Sequence, residues 1–297
     1  MTRFTKLLVP LDGSELAEQA LPLGEWLAHS MDAEIVLVRA AEAHSFPGVD
    51  PAEAQRDAVV EAEAYLDRIG ARLAAMGIRA EQAVPYGPAA ESILLEIGLR
   101  KPDVVVMTTH GRTGVRRFAF GSVALDVLRW SPAPVLLHRA GTPALTLPPH
   151  GVRVLVALDG SELAEAALEP SEALVRALDG EIVLAQVVPA YGMTKGGPFE
   201  TGVVVQTDAA AAARTYLHAA ERRLNGNGVR ARSLILEGEA APSLARMANA
   251  LPAHVLALAT HGRSGLPRVF LGSVAEATVA ATEVPVLVFR PAAMRAQ

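Results

Sequence analysis

The sequence predicts an α/β protein made of two tandem doubly wound domains, each with a Rossmann-like parallel sheet of strand order 3-2-1-4-5. The chain repeats itself: VPLDGSELAEQAL (9–21) returns as VALDGSELAEAAL (156–168). Short, continuous apolar runs alternate with longer amphipathic segments, which is typical of strands buried on both faces by helices. Glycine-rich segments follow the apolar runs, where such folds place their loops. Strand–helix alternation in both copies therefore predicts the same fold twice.

The repeat extends over nearly the whole chain. DAEIVLVRA (32–40) returns as DGEIVLAQV (179–187), and APVLLHR (133–139) returns as VPVLVFR (284–290). A period of this length indicates a duplicated domain and not a solenoid. The Pro- and Gly-rich segment AGTPALTLPPHG between the copies is typical of a linker. We expect one domain over 1–141, a linker over 142–150 and a second domain over 151–297.

The elements of the first copy follow from its pattern. Apolar, β-branched runs predict strands at 6–11, 34–40, 104–109 and 134–138, and a weaker run predicts another at 78–84. Segment 51–76 predicts a helix, since its apolar residues step by three and four; they are Val59, Ala62, Leu66, Ile69, Leu73 and Met76. Asp50 and Glu53 have capping-box spacing, and Pro51 suits the first helical position. Segment 122–130 is also predicted to be helical.

Composition limits the classes of function. The chain is 51% hydrophobic and 20% charged, as in soluble proteins that form a core. A formal net charge of −5, with only three lysines, argues against a nucleic-acid binder that neutralises phosphates. The absence of cysteine excludes disulfides and thiolate sites. No apolar segment has the length of a signal peptide or a membrane span. We expect a soluble cytoplasmic protein without membrane or nucleic-acid partners.

Two motifs follow strands that should be neighbours. Asp12-Gly13-Ser14 follows the first strand and His110-Gly111-Arg112 follows the fourth. In a sheet of order 3-2-1-4-5, the ligand crevice lies between the carboxyl ends of these strands. Asp12, repeated as Asp159, is therefore expected to contact a ligand. Ser14 is equally well explained as a helix cap.

A glycine-rich string predicts an anion site. THGRTGVRRFAFGSVA (109–124) returns as THGRSGLPRVFLGSVA (260–275). Gly121-Ser122 opens a predicted helix, whose unpaired N–H groups and partial positive charge can bind phosphate. Gly111 and Gly114 would let the loop fold over the same anion. Arg112 and Arg263 either reach phosphate oxygens or are solvated, and Ser122 either binds phosphate or caps its own helix.

With these motifs the chain resembles a tandem member of the universal stress protein family. Nucleotide-binding members carry G-x2-G-x9-G-[ST], which matches here from Gly111 to Ser122 and again from Gly262 to Ser273. The first glycine of the motif is replaced by Thr108 and Ala259. The contacts that the resemblance implies for ATP are Pro10, Asp12, Ala40, Met107, Thr108, Gly111, Arg112, Gly114, Gly121, Ser122 and Val123 in the first copy, and Ala157, Asp159, Val187, Leu258, Ala259, Gly262, Arg263, Gly265, Gly272, Ser273 and Val274 in the second.

The resemblance implies an ATP-binding regulator in a stress response. The G-x-x-x-x-G-K-[ST] phosphate loop is absent, so little or no turnover is expected. Any Mg²⁺ would arrive with the phosphates, and His110 and His261 are interpreted as structural. Two alternatives stay open: a slow ATPase that uses Asp12 and Asp159, and an interaction module that has lost its nucleotide.

The resemblance also bears on assembly. It implies that the last strands pair across a dimer, which the two halves could satisfy within one chain as a pseudo-dimer. A homodimer and an unidentified protein partner are further expectations. The two sites need not be occupied equally.

Overall fold

Each half of the chain is built on five parallel strands. The computed structural model describes residues 4–42, 50–110, 120–142, 147–190, 202–251, 253–260 and 272–290, with backbone only at 202–208. Contacts divide the chain into a first unit, Met1–Thr146, and a second unit, Leu147–Arg295. The division falls inside the segment predicted as a linker, whose limits stay a prediction.

The first unit alternates strands and helices in chain order. Its elements are β1 (Lys6–Pro10), α1 (Glu15–Glu18), α2 (Leu21–Met31), β2 (Glu34–Val38), α3 (Pro51–Ala75), β3 (Ala80–Ala83), α4 (Ala89–Arg100), β4 (Val104–Thr108), α5 (Ser122–Trp130) and β5 (Val135–His138). The strands lie in the order β3-β2-β1-β4-β5. The predicted strand order 3-2-1-4-5 is thus confirmed, and it places the ends of β1 and β4 side by side.

The second unit repeats this succession. Its elements are β6 (Arg153–Leu158), α6 (Glu162–Glu165), α7 (Leu168–Ala177), β7 (Glu181–Val188), α8 (Gly202–Gly226), β8 (Ala231–Glu237), α9 (Ala240–Ala250), β9 (Val255–Ala259), α10 (Ser273–Ala281) and β10 (Val286–Phe289). Within the unit the strands lie in the order β8-β7-β6-β9-β10. This is the first unit's order, element for element.

The central strands explain the continuous apolar runs. β1 pairs in parallel with β2 and with β4, so that Leu7 lies opposite both Ile35 and Val104. Leu7, Leu8 and Val104 have no exposed surface. A strand covered by helices on both faces has no solvent side, and an alternating pattern would therefore leave polar groups in the core. In none of the described residues is there a helix long and apolar enough to cross a membrane.

Helix α3 begins at the predicted residue but ends one residue earlier than predicted. The Asp50 carboxylate caps it by accepting a hydrogen bond from Ala52 N at 2.9 Å, with Pro51 at the first position. The stripe is buried at Ala62, Leu66, Ile69 and Leu73 and partly buried at Val59. The prediction is wrong for Met76, which is 39% exposed. The helix ends at Ala75, so Met76 leaves the direction of the buried face.

Candidate functional site

A cavity of about 400 Å³ opens in the first unit at the carboxyl ends of β1, β2 and β4. It brings together eight of the contacts predicted for ATP: Pro10, Asp12, Ala40, Met107, Thr108, Gly121, Ser122 and Val123. The strand order accounts for this meeting, since the crossovers after β1 and β4 leave on opposite faces and open a crevice between them. The volume lies within the range of about 300–1,000 Å³ usual for small-molecule sites.

The loop after β1 is held by its own side chains. Asp12 Oδ1 accepts hydrogen bonds from Ser14 N at 2.9 Å and from Ser14 Oγ at 2.6 Å. Ser14 Oγ in turn accepts from Ala17 N at 3.1 Å, so Ser14 is the N-cap of α1. Of the two interpretations of Ser14, the structure has the helix cap. Asp12 orders the loop and also lines the cavity.

The N-terminus of α5 lies at the cavity without a side-chain cap. Gly121 is the N-cap residue, and Ser122 occupies the first helical position. Ser122 therefore does not cap its own helix. The first helical hydrogen bond is donated by Leu125 N to Gly121 O at 3.0 Å. The N–H groups of Ser122, Val123 and Ala124 are left as the helix's intrinsic unpaired donors, and all three residues line the cavity.

Hydrogen bonds around the end of β4 fix the far wall of the cavity. Gly121 N donates to Thr109 O at 2.7 Å, so this amide closes the loop. Thr108, which replaces the first glycine of the motif, is buried and donates through Oγ1 to His110 O at 2.7 Å. The His110 ring bonds through Nδ1 with Thr109 Oγ1 at 3.1 Å. These bonds give Thr108 and His110 roles in holding the strand end.

A buried arginine forms one side of the cavity, and sequence reasoning missed it. Arg39 is 7% exposed, and its Nη2 donates to Glu61 Oε1 at 2.5 Å. Its guanidinium carbon lies 4.9 Å from the centre of the Tyr65 ring, a cation–π contact. Arg39 and Glu61 both line the cavity. The available signal was a charged residue inside the apolar run EIVLVRA, since a buried charge needs a partner.

Tyr65 is held by the same cluster. Its hydroxyl donates to Glu18 Oε1 at 2.9 Å. Burial of the ring, followed by the hydrogen bond to the Glu18 carboxylate, raises the pKa of Tyr65 above its ordinary value. The phenol therefore stays protonated at neutral pH and serves as a donor.

The second unit has a cavity of about 390 Å³ with a different lining. It is formed by Gly160, Gln186, Val187, Val188, Pro189, Ala209, Ala212, Ala213 and Tyr216. Val187 alone of the predicted contacts belongs to this lining. The other predicted contacts in the described part of this unit lie outside it; they are Ala157, Asp159, Leu258, Ala259, Gly272, Ser273 and Val274.

The first loop of the second unit copies that of the first unit. Asp159 Oδ1 accepts from Ser161 N at 2.9 Å and from Ser161 Oγ at 2.6 Å. Ser161 Oγ accepts from Ala164 N at 3.1 Å. These distances equal those around Asp12, so the two loops have the same geometry.

The start of α10 differs from the start of α5. Gly272 is the N-cap with a φ of +84°, whereas Gly121 has a φ of −70°. A Cβ at Gly272 would lie 2.5 Å from Thr260 O, but a Cβ at Gly121 would have its nearest neighbour at 3.6 Å. Gly272 is therefore required by backbone conformation and close approach, and Gly121 is not.

Part of the predicted site lies outside the described residues. These predicted positions are Gly111, Arg112, Gly114, Gly262, Arg263 and Gly265, together with His261. Within the described ranges, no group of three or more His, Asp or Glu side chains is placed to hold a metal ion.

Comparisons with known proteins identify the family. The model of the universal stress protein family matches residues 3–139 and 152–290. A universal stress protein of Methanocaldococcus jannaschii is 27% identical over 139 residues, covering 45% of this chain and 81% of its own length. One from Bacillus subtilis is 26% identical over 147 residues, covering 46% of this chain and 99% of its own length.

A solved structure supports the fold over both halves. The crystal structure of a universal stress protein from Archaeoglobus fulgidus is similar with a TM-score of 0.73 at 22% identity, and the match covers 97% of each chain. With the family model matched twice along its length, the chain belongs to the universal stress protein family and carries two tandem domains of it.

Proposed function

We propose that the chain is an ATP-binding regulatory protein and that its first unit holds the nucleotide. The observation that carries the proposal is the cavity of about 400 Å³ with the uncapped N-terminus of α5 on its wall. A mostly apolar cavity with a few converging polar groups is the usual form of a small-molecule site. In such sheets it also lies where ligands bind, beyond the carboxyl ends of the strands.

The adenosine moiety would occupy the part of the cavity formed by the strand ends. Pro10, Ala40 and Met107 supply apolar contacts there, and the Asp12 carboxylate lies at the same edge. Ser14 engages Oδ1 of Asp12 with two hydrogen bonds, which fixes the carboxylate in position. A fixed acceptor is suited to a ribose hydroxyl, since the entropy of ordering it is already lost in the free protein.

The phosphates would lie against the start of α5. Three successive amides, those of Ser122, Val123 and Ala124, have no acceptor within the helix. The helix dipole adds partial positive charge at the same point, which stabilises an anion without any lysine. A protein of net charge −5 can therefore bind a triphosphate locally.

Binding without rapid turnover suits this arrangement. Asp12 is the carboxylate on which the ATPase alternative relies, and its Oδ1 is engaged by Ser14. Fast phosphoryl transfer requires a positioned base and a metal clamp. A nucleotide that is held and slowly exchanged would instead report its own concentration through contacts with a protein partner or with a second copy of the chain.

The first test is chemical identification of the ligand. Purified protein is denatured, and the released small molecules are analysed by mass spectrometry. We expect adenine nucleotide, and protein emptied by dialysis should bind ATP again in a calorimetric titration. A chain that releases no nucleotide and takes up none at millimolar ATP would refute the proposal.

A charge substitution tests where the phosphates lie. Ser122 is exposed and first in α5, so Ser122→Glu suits the helix dipole but repels a triphosphate. ATP affinity should fall by about tenfold or more, equal to about 1.4 kcal/mol. Ser122→Gln is the neutral control and should bind ATP far better than Ser122→Glu. Adenosine binding should be the same in both variants, since adenosine has no phosphate.

Asp12→Asn separates binding from turnover. The asparagine Oδ1 can still accept from Ser14, so the loop should keep its shape without the negative charge. ATP binding should persist, and ADP production should be negligible before and after the substitution. The ATPase alternative would be favoured by a different result: the unaltered chain produces ADP steadily, and Asp12→Asn stops this production while still binding ATP.

A further inference from the structure

We infer that the outer side of α4 is an interface for a second copy of this chain, in which the two α4 helices pack antiparallel about a two-fold axis. The surface, called the α4 face below, consists of the exposed residues Glu91, Leu95, Gly98, Leu99 and Lys101. None of them lines the cavity of the first unit, so the inference goes beyond the proposed function and does not depend on it.

Large apolar side chains lie exposed on the α4 face. Leu95 is 58% exposed and Leu99 is 65% exposed, and no other leucine in the described part of the chain is exposed. Being four residues apart, they lie on the same side of the helix. Trp130, which ends the adjacent helix α5, is 58% exposed; it lies at the same end of the unit as Leu99, since the two helices lead into the neighbouring strands β4 and β5. Exposed apolar residues that cluster in this way mark an interaction surface.

The second unit shows that the fold does not require these side chains. Helix α9 corresponds to α4 in the repeat. At the two leucine positions α9 carries Arg246 and Ala250, which are exposed like the leucines they replace. At the position of Trp130 the second unit has Ala281, also exposed. The same framework therefore exists with an ordinary surface, and the apolar surface of the first unit calls for a partner.

The charges of the α4 face identify that partner as a second copy. Glu91 lies in the first turn of α4, and Lys101 is its C-cap residue. Arg100 forms ion pairs with Glu96 and Glu81, whereas Glu91 and Lys101 form none within the described residues. In an antiparallel pair of α4 helices, Glu91 of each copy meets the Lys101 of the other. Each residue contacts its counterpart reciprocally, as an isologous interface requires, and opposite charges face each other twice.

The spacing along α4 makes the apolar and the charged contacts compatible. A two-fold axis that crosses the helix midway between Leu95 and Leu99 places each leucine opposite the other leucine of the second copy. Glu91 then lies about two residues, or ~3 Å along the helix, from the partner's Lys101, within reach of two long side chains. Gly98 lies beside the axis, and a Cβ there would meet nothing within 4 Å, so the two backbones can approach closely.

The first experiment measures the molecular mass of the full chain by sedimentation velocity over a range of protein concentrations, without nucleotide. Two helix faces bury less surface than a standard interface, so we expect a reversible dimer with a Kd in the micromolar range. Leu95→Arg with Leu99→Ala gives α4 the residues of the second unit and should raise the Kd by about tenfold or more. Val60→Arg is the control, since Val60 is 61% exposed on α3 outside the α4 face, and it should leave the Kd unchanged.

Charge reversal tests the antiparallel arrangement. Glu91→Lys places like charges opposite each other at both ends of the contact and should raise the Kd about tenfold at low salt. Glu91→Lys with Lys101→Glu exchanges the two charges and should restore the dimer. Circular dichroism checks that each variant folds like the unaltered chain. Rescue by the second substitution is expected only if the partner is another copy of the chain.

Cross-linking tests the position of the axis. The chain has no cysteine, so Gly98→Cys can form a disulfide only between two copies. We expect it to form a covalent dimer under mild oxidation far faster than Val60→Cys, whose cysteine lies outside the α4 face.

Three results would overturn the inference. The first is a chain that stays monomeric at every concentration. The second is a dimer unaffected by Leu95→Arg with Leu99→Ala, because that dimer would use another surface. The third is a monomer that binds a different protein through this face and loses it in the same variant, because the occupant would then not be a second copy.

Discussion

In the first unit a buried arginine, its glutamate and a tyrosine ring fill one side of the cavity, whereas in the second unit a glutamine and an alanine stand beside the equivalent tyrosine. The loops that follow the first strand of each unit are the same to a tenth of an ångström in their hydrogen bonds. The duplicated frameworks have therefore kept the loop geometry and diverged at the cavity wall.

The divergence involves both members of an ion pair, which physical chemistry explains. Loss of Glu61 alone would leave a buried guanidinium without its counter-charge, and loss of Arg39 alone would leave an apolar recess. With Gln186 and Ala212, the second unit has no unpaired charge at this place, but it has the recess. The two units therefore differ in the lining of their cavities and not in fold.

The largest difference between the units should come from their N-cap glycines. Gly272→Ala forces a Cβ to within 2.5 Å of Thr260 O at a φ of +84°. Strain of this kind costs about 1–3 kcal/mol before the clash is counted. Gly121→Ala meets its nearest neighbour at 3.6 Å and should change the free energy of unfolding by about 1 kcal/mol or less.

Both glycine variants can be measured in urea with two probes. The two tryptophans, Trp26 and Trp130, lie in the first unit, so their fluorescence reports that unit, and far-ultraviolet circular dichroism reports both. Gly272→Ala should shift the dichroism transition and leave the fluorescence transition in place. Equal effects of the two substitutions would contradict the difference in backbone conformation.

A smaller difference is expected at the ion pair. Glu61→Ala leaves Arg39, whose side chain is 8% exposed, without its carboxylate. The Glu61 side chain is 70% exposed, so water screens part of the loss. We expect the first unit to lose about 1–2 kcal/mol of unfolding free energy, below the 3–5 kcal/mol of a fully buried pair. The measurement is tryptophan fluorescence in urea.

The matched substitution in the second unit is Ala212→Glu. Ala212 is exposed on its helix, and no arginine stands at the Gln186 position to attract the new carboxylate. The change should stay within about 0.5 kcal/mol, as for ordinary surface substitutions. A large loss in this variant, or none in Glu61→Ala, would break the contrast between the two cavity walls.

The units also differ in the side chain that accepts a hydrogen bond from the first residue of their first strand. This difference predicts a pH effect on stability. Asp103 Oδ2 accepts from Lys6 N at 3.0 Å in the first unit, and His254 Nδ1 accepts from Arg153 N at 2.9 Å in the second. Burial, followed by the charge of Arg153, lowers the pKa of His254. Below the ordinary histidine pKa of about 6.5, His254 therefore binds a proton in the unfolded chain but not in the folded unit.

Stability of the second unit should fall as the pH is lowered through about 6.5, by at most about 1.4 kcal/mol per pH unit from this residue. His254→Asn keeps an acceptor and does not titrate, so it should flatten the dependence. His138 in the first unit is the control, since burial lowers its pKa too. His138→Asn should instead flatten the pH dependence of the first unit's unfolding free energy, which fluorescence measures. If the second unit's stability depended on pH equally steeply in His254→Asn, the pH dependence would not come from His254.

Most of the fold could be predicted because the main signals were local. Apolar runs gave β1, β2, β4 and β5 to within two residues at each end, and the Asp50–Pro51 signature gave the start of α3. Met76 was missed because the helix ended one residue earlier than its apolar period. Helix ends depend on tertiary contacts that a period does not encode.

The site could be predicted only in part. Strand-end residues such as Pro10, Asp12 and Thr108 were found because topology alone brings them together. The Arg39–Glu61 pair was not found, because its members are 22 residues apart and meet only when α3 packs on β2.

The smallest expected difference between the units concerns their helix caps. These caps have the same geometry in both units, so they test the similarity of the units and not their divergence. Ser14 and Ser161 accept from Ala17 N and Ala164 N at the same 3.1 Å. Each also donates to an aspartate at 2.6 Å. Ser14→Ala and Ser161→Ala should each cost about 1 kcal/mol, as N-cap losses usually do. Because the geometry is the same, the two losses should be equal within the error of the measurements. Fluorescence in urea measures the first, and circular dichroism measures the second. A clearly larger loss for one of them would mean that its loop carries strain or contacts beyond the shared hydrogen bonds, and the difference between the units would then extend past the cavity wall.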